Sequence, residues 1–227
     1  MGRALDRLAA EIAGCRRCPR LVRWRERVAR EKRRAYAAET YWGRPVPGFG
    51  DPAARLLVVG LAPGAHGANR TGRMFTGDGS GDFLYAALHR AGLASQPHSR
   101  SRGDGLRLAG CFVTAACRCA PPGNRPTPAE LAACAPFLDR ELELLRGVRA
   151  ALCLGSIAWA AALGALARRG APVPRPRPAF RHGAELALPG EPALVASYHV
   201  SRQNTQTGRL TPGMFDAVLE RALALAG

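Results

Sequence analysis

Leu56-Leu57-Val58-Val59-Gly60-Leu61-Ala62-Pro63-Gly64-Ala65-His66-Gly67 dictates how the rest of the chain must be arranged. Its first four residues are apolar and half of them β-branched, as in a strand buried on both faces. Glycine and proline then end the strand, so the loop that follows leaves its carboxyl end. In open α/β sheets ligands collect there, because loop N–H groups and the next helix N-terminus converge on one point. Five glycines from Gly60 to Gly77 let main chain approach a flat or anionic ligand. Phe75 and Asp78 follow, an aromatic face to stack on a planar ring and a carboxylate to orient a water.

Outward from this loop, the pattern alternates between strand and helix. Helical spacing is expected over 3–13, 21–39, 81–91, 128–145, 156–167 and 212–226, and strands over 110–116, 148–154 and 194–198. Thr127 precedes Pro128 and Glu130, a cap and first turn for the fourth helix. Residues 94–105 and the Pro- and Arg-rich 169–182 are expected as surface connections. Such alternation implies one α/β domain over 1–227, with a mostly parallel sheet covered by helices on both faces.

Thirty-three basic residues face seventeen acidic ones, a net charge of +16. That balance points to a polyanionic partner. Nearly all of the charge is arginine, and Lys32 is the one lysine. Arginine does not deprotonate to an amine, which excludes Schiff-base chemistry from every motif. No run of eighteen apolar residues occurs, so a soluble cytoplasmic protein without a membrane partner is expected.

Seven cysteines, an odd number, argue against a closed disulfide framework and for metal ligation. Cys15 and Cys18 are two residues apart before Pro19, and Cys119 and Cys134 are the best partners for them. Spacing alone admits a four-cysteine zinc site as readily as an iron–sulfur cluster. Cys111 and Cys153 fall in apolar strands and read as core, and Cys117 is expected to point along a strand end.

Gly60-Leu61-Ala62-Pro63-Gly64, Phe75-Thr76-Gly77-Asp78, Tyr198-His199-Val200-Ser201-Arg202-Gln203-Asn204-Thr205 and the four cysteines occur in this order between residues 15 and 212. Together they resemble the uracil-DNA glycosylase superfamily, most closely its family 5. The resemblance implies base excision repair of DNA: a monofunctional enzyme that hydrolyses the N-glycosidic bond of a base flipped out of the double or single strand, leaving an abasic site. It also implies a structural [4Fe–4S] cluster on Cys15, Cys18, Cys119 and Cys134. A monomer is expected.

On that resemblance the substrate pocket takes in Gly60, Leu61, Ala62 and Gly64, with Phe75 as the stacking platform. Asp78 holds or activates water, with an N-cap on the helix entering at 79–83 as the lesser alternative. His199 donates a hydrogen bond to the departing base, and Asn124 assists. Arg70 and Arg73 are expected on phosphates; Arg202, Gln203, Asn204 and Arg209, with Leu210, are expected to enter the duplex. His66 sits beside the pocket without a clear role. Two positions depart from stricter relatives. Ala65 stands where family 4 has an acidic residue, and Ala115 where a uracil-reading asparagine is expected. A less selective pocket is implied, accepting uracil, hypoxanthine and xanthine.

Two other classes compete. A non-catalytic nucleic-acid-binding protein with a four-cysteine zinc site would satisfy the charge and the cysteines, but not Phe75, Asp78 and His199. A phosphate-binding nucleotide hydrolase would need the G-K-[ST] ending that this glycine loop lacks.

Overall fold

Four of the apolar runs form the parallel centre of one six-stranded sheet in the computed structural model, which describes residues 2–227. The strands are β1 (Phe49–Gly50), β2 (Leu56–Gly60), β3 (Cys111–Ala115), β4 (Ala150–Leu154), β5 (Glu185–Leu186) and β6 (Ala193–Ser197). Their spatial order is β1-β3-β2-β4-β6-β5. β3, β2, β4 and β6 run parallel, and the two-residue edge strands pair antiparallel. β2 is therefore interior, and the glycine loop leaves the middle of the sheet.

Alternation along each strand divides the core in two. Leu56 and Val58 of β2 join Leu152, Leu154 and Val195 on one face; Leu57 and Val59 join Cys153, Leu194 and Ala196 on the other. Both faces are apolar because both are covered.

The helices are α1 (Gly2–Gly14), α2 (Pro19–Glu31), α3 (Ala68–Thr71), α4 (Gly79–Arg90), α5 (Pro128–Leu144), α6 (Ser156–Arg168), α7 (Arg202–Gln206) and α8 (Pro212–Ala226). Leu84, Leu88, Phe215 and Leu219 of α4 and α8 cover the first face; Leu138, Trp159 and Leu163 of α5 and α6 cover the second. Thr127 caps α5 through a reciprocal box with Glu130, as its spacing predicts. α1 packs Leu8 and Ile12 on Phe137 of α5.

The structure shortens one expected helix. Instead of 21–39, α2 begins at Pro19 and stops at Glu31, because Lys32 turns into a left-handed conformation (φ +55°). A separate 3-10 turn follows at Arg34–Tyr36. Among the described residues no helix is long and apolar enough to cross a membrane.

Candidate active site at the carboxyl ends of the strands

A cavity of about 620 Å³ opens where β2 and β6 end. Leu61, Ala62 and Gly64 of the glycine loop form one wall, Phe75 and Asp78 another. Asn124 and His199 complete it from distant parts of the chain.

Asp78 does two things at once. Its Oδ1 accepts N–H bonds from Ser80 (3.0 Å) and Gly81 (3.1 Å), capping α4. Its Oδ2 faces the glycine loop, where a Cβ on Gly64 would stand 2.7 Å away. Burial raises the Asp78 pKa, against the two amide bonds that lower it. The capping and cavity roles are thus compatible, divided between two oxygens.

Phe75 is 8 % exposed and takes a left-handed backbone (φ +50°). A Cβ on Gly60 would lie 2.5 Å from its Cζ, so a glycine at the end of β2 is what admits the ring. Gly60 consequently supports the platform from behind and is not part of the lining. Ala115, paired with Gly60 across β2 and β3, is 1 % exposed in the core and also lies behind the cavity wall.

His199 follows β6, its ring 6.3 Å from that of Phe75, centroid to centroid. Burial pushes its pKa down to about 4, so the ring is neutral near pH 7 and carries one N–H. Its carbonyl accepts from Asn204 Nδ2 at 2.7 Å, tying the strand end to α7. Asn124 closes a short 3-10 turn at Pro122–Asn124 in left-handed geometry (φ +56°) and stays exposed at the rim.

Arg202, Gln203 and Asn204 on α7 line the same opening. Arg209 is exposed and lies over the Tyr198 ring, 4.8 Å from its centroid. Leu210, expected to enter a duplex, is instead fully buried in the core.

Arg70 and Arg73 are also corrections. Arg73 is 3 % exposed and donates to Thr76 Oγ1 (2.9 Å), Ser99 Oγ (2.8 Å) and Asp104 Oδ2 (2.8 Å). Arg70 is buried on the His66 carbonyl (2.7 Å), the Gly77 carbonyl (2.8 Å) and the Glu39 carboxylate. Both guanidiniums brace the loop that carries Phe75 and Asp78, and neither is open to a phosphate. His66 Nδ1 and the Tyr41 hydroxyl share a 3.0 Å hydrogen bond, and His66 stands outside the cavity lining.

The cysteines gather between α2, the segment after β3, and α5. Cys117, Cys119 and Cys134 pack with Leu21 and Cys18, and Cys15 and Cys134 are near enough for their charges to act on Cys18 and Cys119. Cys111 and Cys153 are buried strand residues, as expected. Cys117 differs from expectation: its Sγ points into this cluster, packed with Cys134 and donating to the Cys119 carbonyl (3.4 Å). The neighbouring Cys117 thiol, with the Arg118 backbone N–H, holds the Cys134 thiol below its ordinary range.

Among the described residues no group of three or more His, Cys, Asp or Glu is placed to hold a metal ion. A lone zinc ion, bonded to sulfur at about 2.3 Å, needs thiolates in near contact. A cluster of iron and sulfide reaches thiolates set farther apart. The sulfur donors and the buried Arg25, whose Nη1 donates to Cys119 Sγ at 2.9 Å, fit an anionic thiolate cluster. In sequence Arg25 is one of several arginines around this helix, but it falls at helical spacing on the buried face of α2 with Leu21 and Val28 and turns to the cysteines instead of solvent. Arg118, equally buried and paired with Glu141 (2.6 Å) beneath the cysteines, left no such signal.

A sequence profile of the uracil DNA glycosylase superfamily matches residues 47–223. A type-5 uracil-DNA glycosylase of Thermus thermophilus is 60% identical over 216 residues, 95% of either chain. One of Mycobacterium tuberculosis is 55% identical over 97% of this chain and 81% of its own. A type-4 uracil-DNA glycosylase of Pyrobaculum aerophilum is 31% identical over 73% of this chain and 67% of its own. With a cavity built from the family's segments and identity across nearly the whole length, the chain belongs to the uracil-DNA glycosylase superfamily, in its family 5.

Proposed function

We propose that the chain is a monofunctional DNA glycosylase of base excision repair. It hydrolyses the bond between C1′ and the base nitrogen of uracil and other deaminated bases, hypoxanthine and xanthine among them. The base flips from double- or single-stranded DNA into the cavity and stacks on Phe75. As the bond breaks, the electron pair leaves with the base and the sugar becomes cationic. Asp78 Oδ2, the oxygen not engaged in capping, positions water for attack on C1′ and stabilises that cation; the proton that water sheds as the new C–O bond forms passes to Asp78 and ends on the departing base anion. Neutral His199 donates its N–H to the base carbonyl where negative charge develops. The glycine-loop amides and Asn124 orient base and water, and Arg202, Gln203, Asn204 and Arg209 hold the displaced strands.

With Ala115 behind the wall, no amide from β3 reads the base edge, which supports broad acceptance of deaminated bases. Cys15, Cys18, Cys119 and Cys134 would hold a [4Fe–4S] cluster whose contribution is structural, fastening α1 and α2 to the turn that carries Asn124.

The observation that carries this proposal is the meeting of Phe75, Asp78, Asn124 and His199, from three separate regions of sequence, around one cavity. The test is uracil release from an oligonucleotide under single-turnover conditions. The intact protein should release uracil without strand cleavage and without borohydride-trappable adduct. Asp78→Ala and His199→Ala should each lose at least a hundredfold in rate. Variants as fast as the parent would refute these roles, and a cut strand would refute monofunctional hydrolysis.

A further inference from the structure

A second concavity, of about 440 Å³, lies along α2 and is lined by Arg20, Arg23, Trp24, Arg27, Arg30 and Pro122. The arginines recur at i, i+3, i+7 and i+10, so they share one face of the helix. Their charges are not neutralised alike. Arg20 is committed to Glu130 (2.7 Å) and the Arg125 carbonyl (3.0 Å). Glu26, the groove's acid, is taken by Arg16. Arg27 lies over the Trp24 ring, 4.6 Å from its centroid, with only a 4.0 Å approach to Glu31. Arg23 and Arg30 have no ion pair and no side-chain hydrogen bond among the described residues, and both are exposed. Held open like this, the charge repels itself unless an anion is present.

Position makes the anion specific. Pro122 belongs both to the groove and to the 3-10 turn whose next residues, Gly123 and Asn124, line the catalytic cavity. Arg20, through the Arg125 carbonyl, fastens α2 to that same turn. Ten residues of helix cover about 15 Å. One DNA strand places a phosphate about every 3.4 Å along its axis and farther apart along its winding path, so a strand lying on this face presents several phosphates to it.

We infer that this groove of α2 binds the phosphates of the DNA strand flanking the flipped nucleotide, on the Asn124 side of the cavity. The inference rests on the glycosylase reading for the identity of its polyanion. Arg23, Arg27 and Arg30 contact backbone oxygens and read no base, so they add affinity and salt dependence without sequence preference. They take the part expected of Arg70 and Arg73, which the fold uses internally.

The test compares Arg23→Ala/Arg27→Ala/Arg30→Ala with Arg107→Ala/Arg146→Ala/Arg149→Ala. The latter removes equal charge near the amino ends of the strands. DNA affinity is measured by fluorescence anisotropy against salt for a 24-base-pair duplex with a central abasic site, after thermal melting verifies folding. The α2 variant should lower the log–log salt slope by about 2 to 3, and the control by less than 1. Equal slopes for the α2 variant and parent, or equal losses in both variants, overturn the inference. Uracil release by the parent is measured in parallel. If release occurs and the α2 slope is unchanged, the groove fails while the glycosylase reading stands; a lowered slope without release has the opposite meaning.

Discussion

Asp78 Oδ2 lies so close to Gly67 that a Cβ built on that glycine would sit 1.9 Å from it. The loop and the carboxylate are therefore mutually fitted: glycine is required because an acid occupies the side-chain space. Gly67→Ala must push the carboxylate or the loop by an ångström or more. We expect uracil release to fall about a hundredfold, comparable with other misplacements of that size. Asp78→Asn provides the contrast, since an asparagine oxygen can still accept from Ser80 and Gly81. It should keep the melting temperature within a few degrees and lose activity. A Gly67→Ala protein as active as the parent would contradict this fit.

His199 carries a pH signature. In the unfolded chain it titrates near 6.5; folded, burial holds it to about 4. Between those values the unfolded state binds more protons, so stability is full above about pH 6.5 and is lost as pH falls toward 4. The two-and-a-half-unit gap corresponds to about 3 kcal/mol at most. His199→Gln should flatten this part of the stability curve in denaturant titrations. His66 and His182, also lowered by burial, remain in both proteins and cancel in the comparison. Parallel curves for parent and variant would show that His199 is not held neutral by the fold.

Arg73→Ala should behave as a core lesion. It strands Asp104, whose carboxyl the guanidinium and three backbone N–H groups hold below the ordinary carboxylate range. Loss of one partner of a buried pair costs about 3 to 5 kcal/mol. Chemical denaturation should register that loss, whereas the salt slope of DNA binding should not move. A stable variant with a shallower slope would restore Arg73 to the phosphate contacts.

Sequence pattern located the sheet because Leu56–Val59 and its three counterparts are long enough to carry a period. It did not reveal Phe49–Gly50, Glu185–Leu186 or α7, whose two to five residues are too short for one. The cavity was legible through motif order, since Asp78 and His199 each follow a recognisable strand or glycine turn. The fate of the arginines was not. Arg70, Arg73 and exposed Arg23 are chemically identical in the sequence, and only tertiary packing decides which faces Glu39 or Asp104 and which faces solvent. Gly60 shows the same limit from the other side: its small size was evident, but its purpose depends on a ring fifteen residues away.

Entry of an extruded base into this cavity is best tested by the structure of the Asp78→Asn protein bound to uracil-containing duplex DNA. Uracil should lie stacked on Phe75, with its carbonyl oxygen within hydrogen-bond distance of the His199 ring and the sugar C1′ facing residue 78. A base left in the helix, with the cavity empty and the DNA bound on another face, would contradict it.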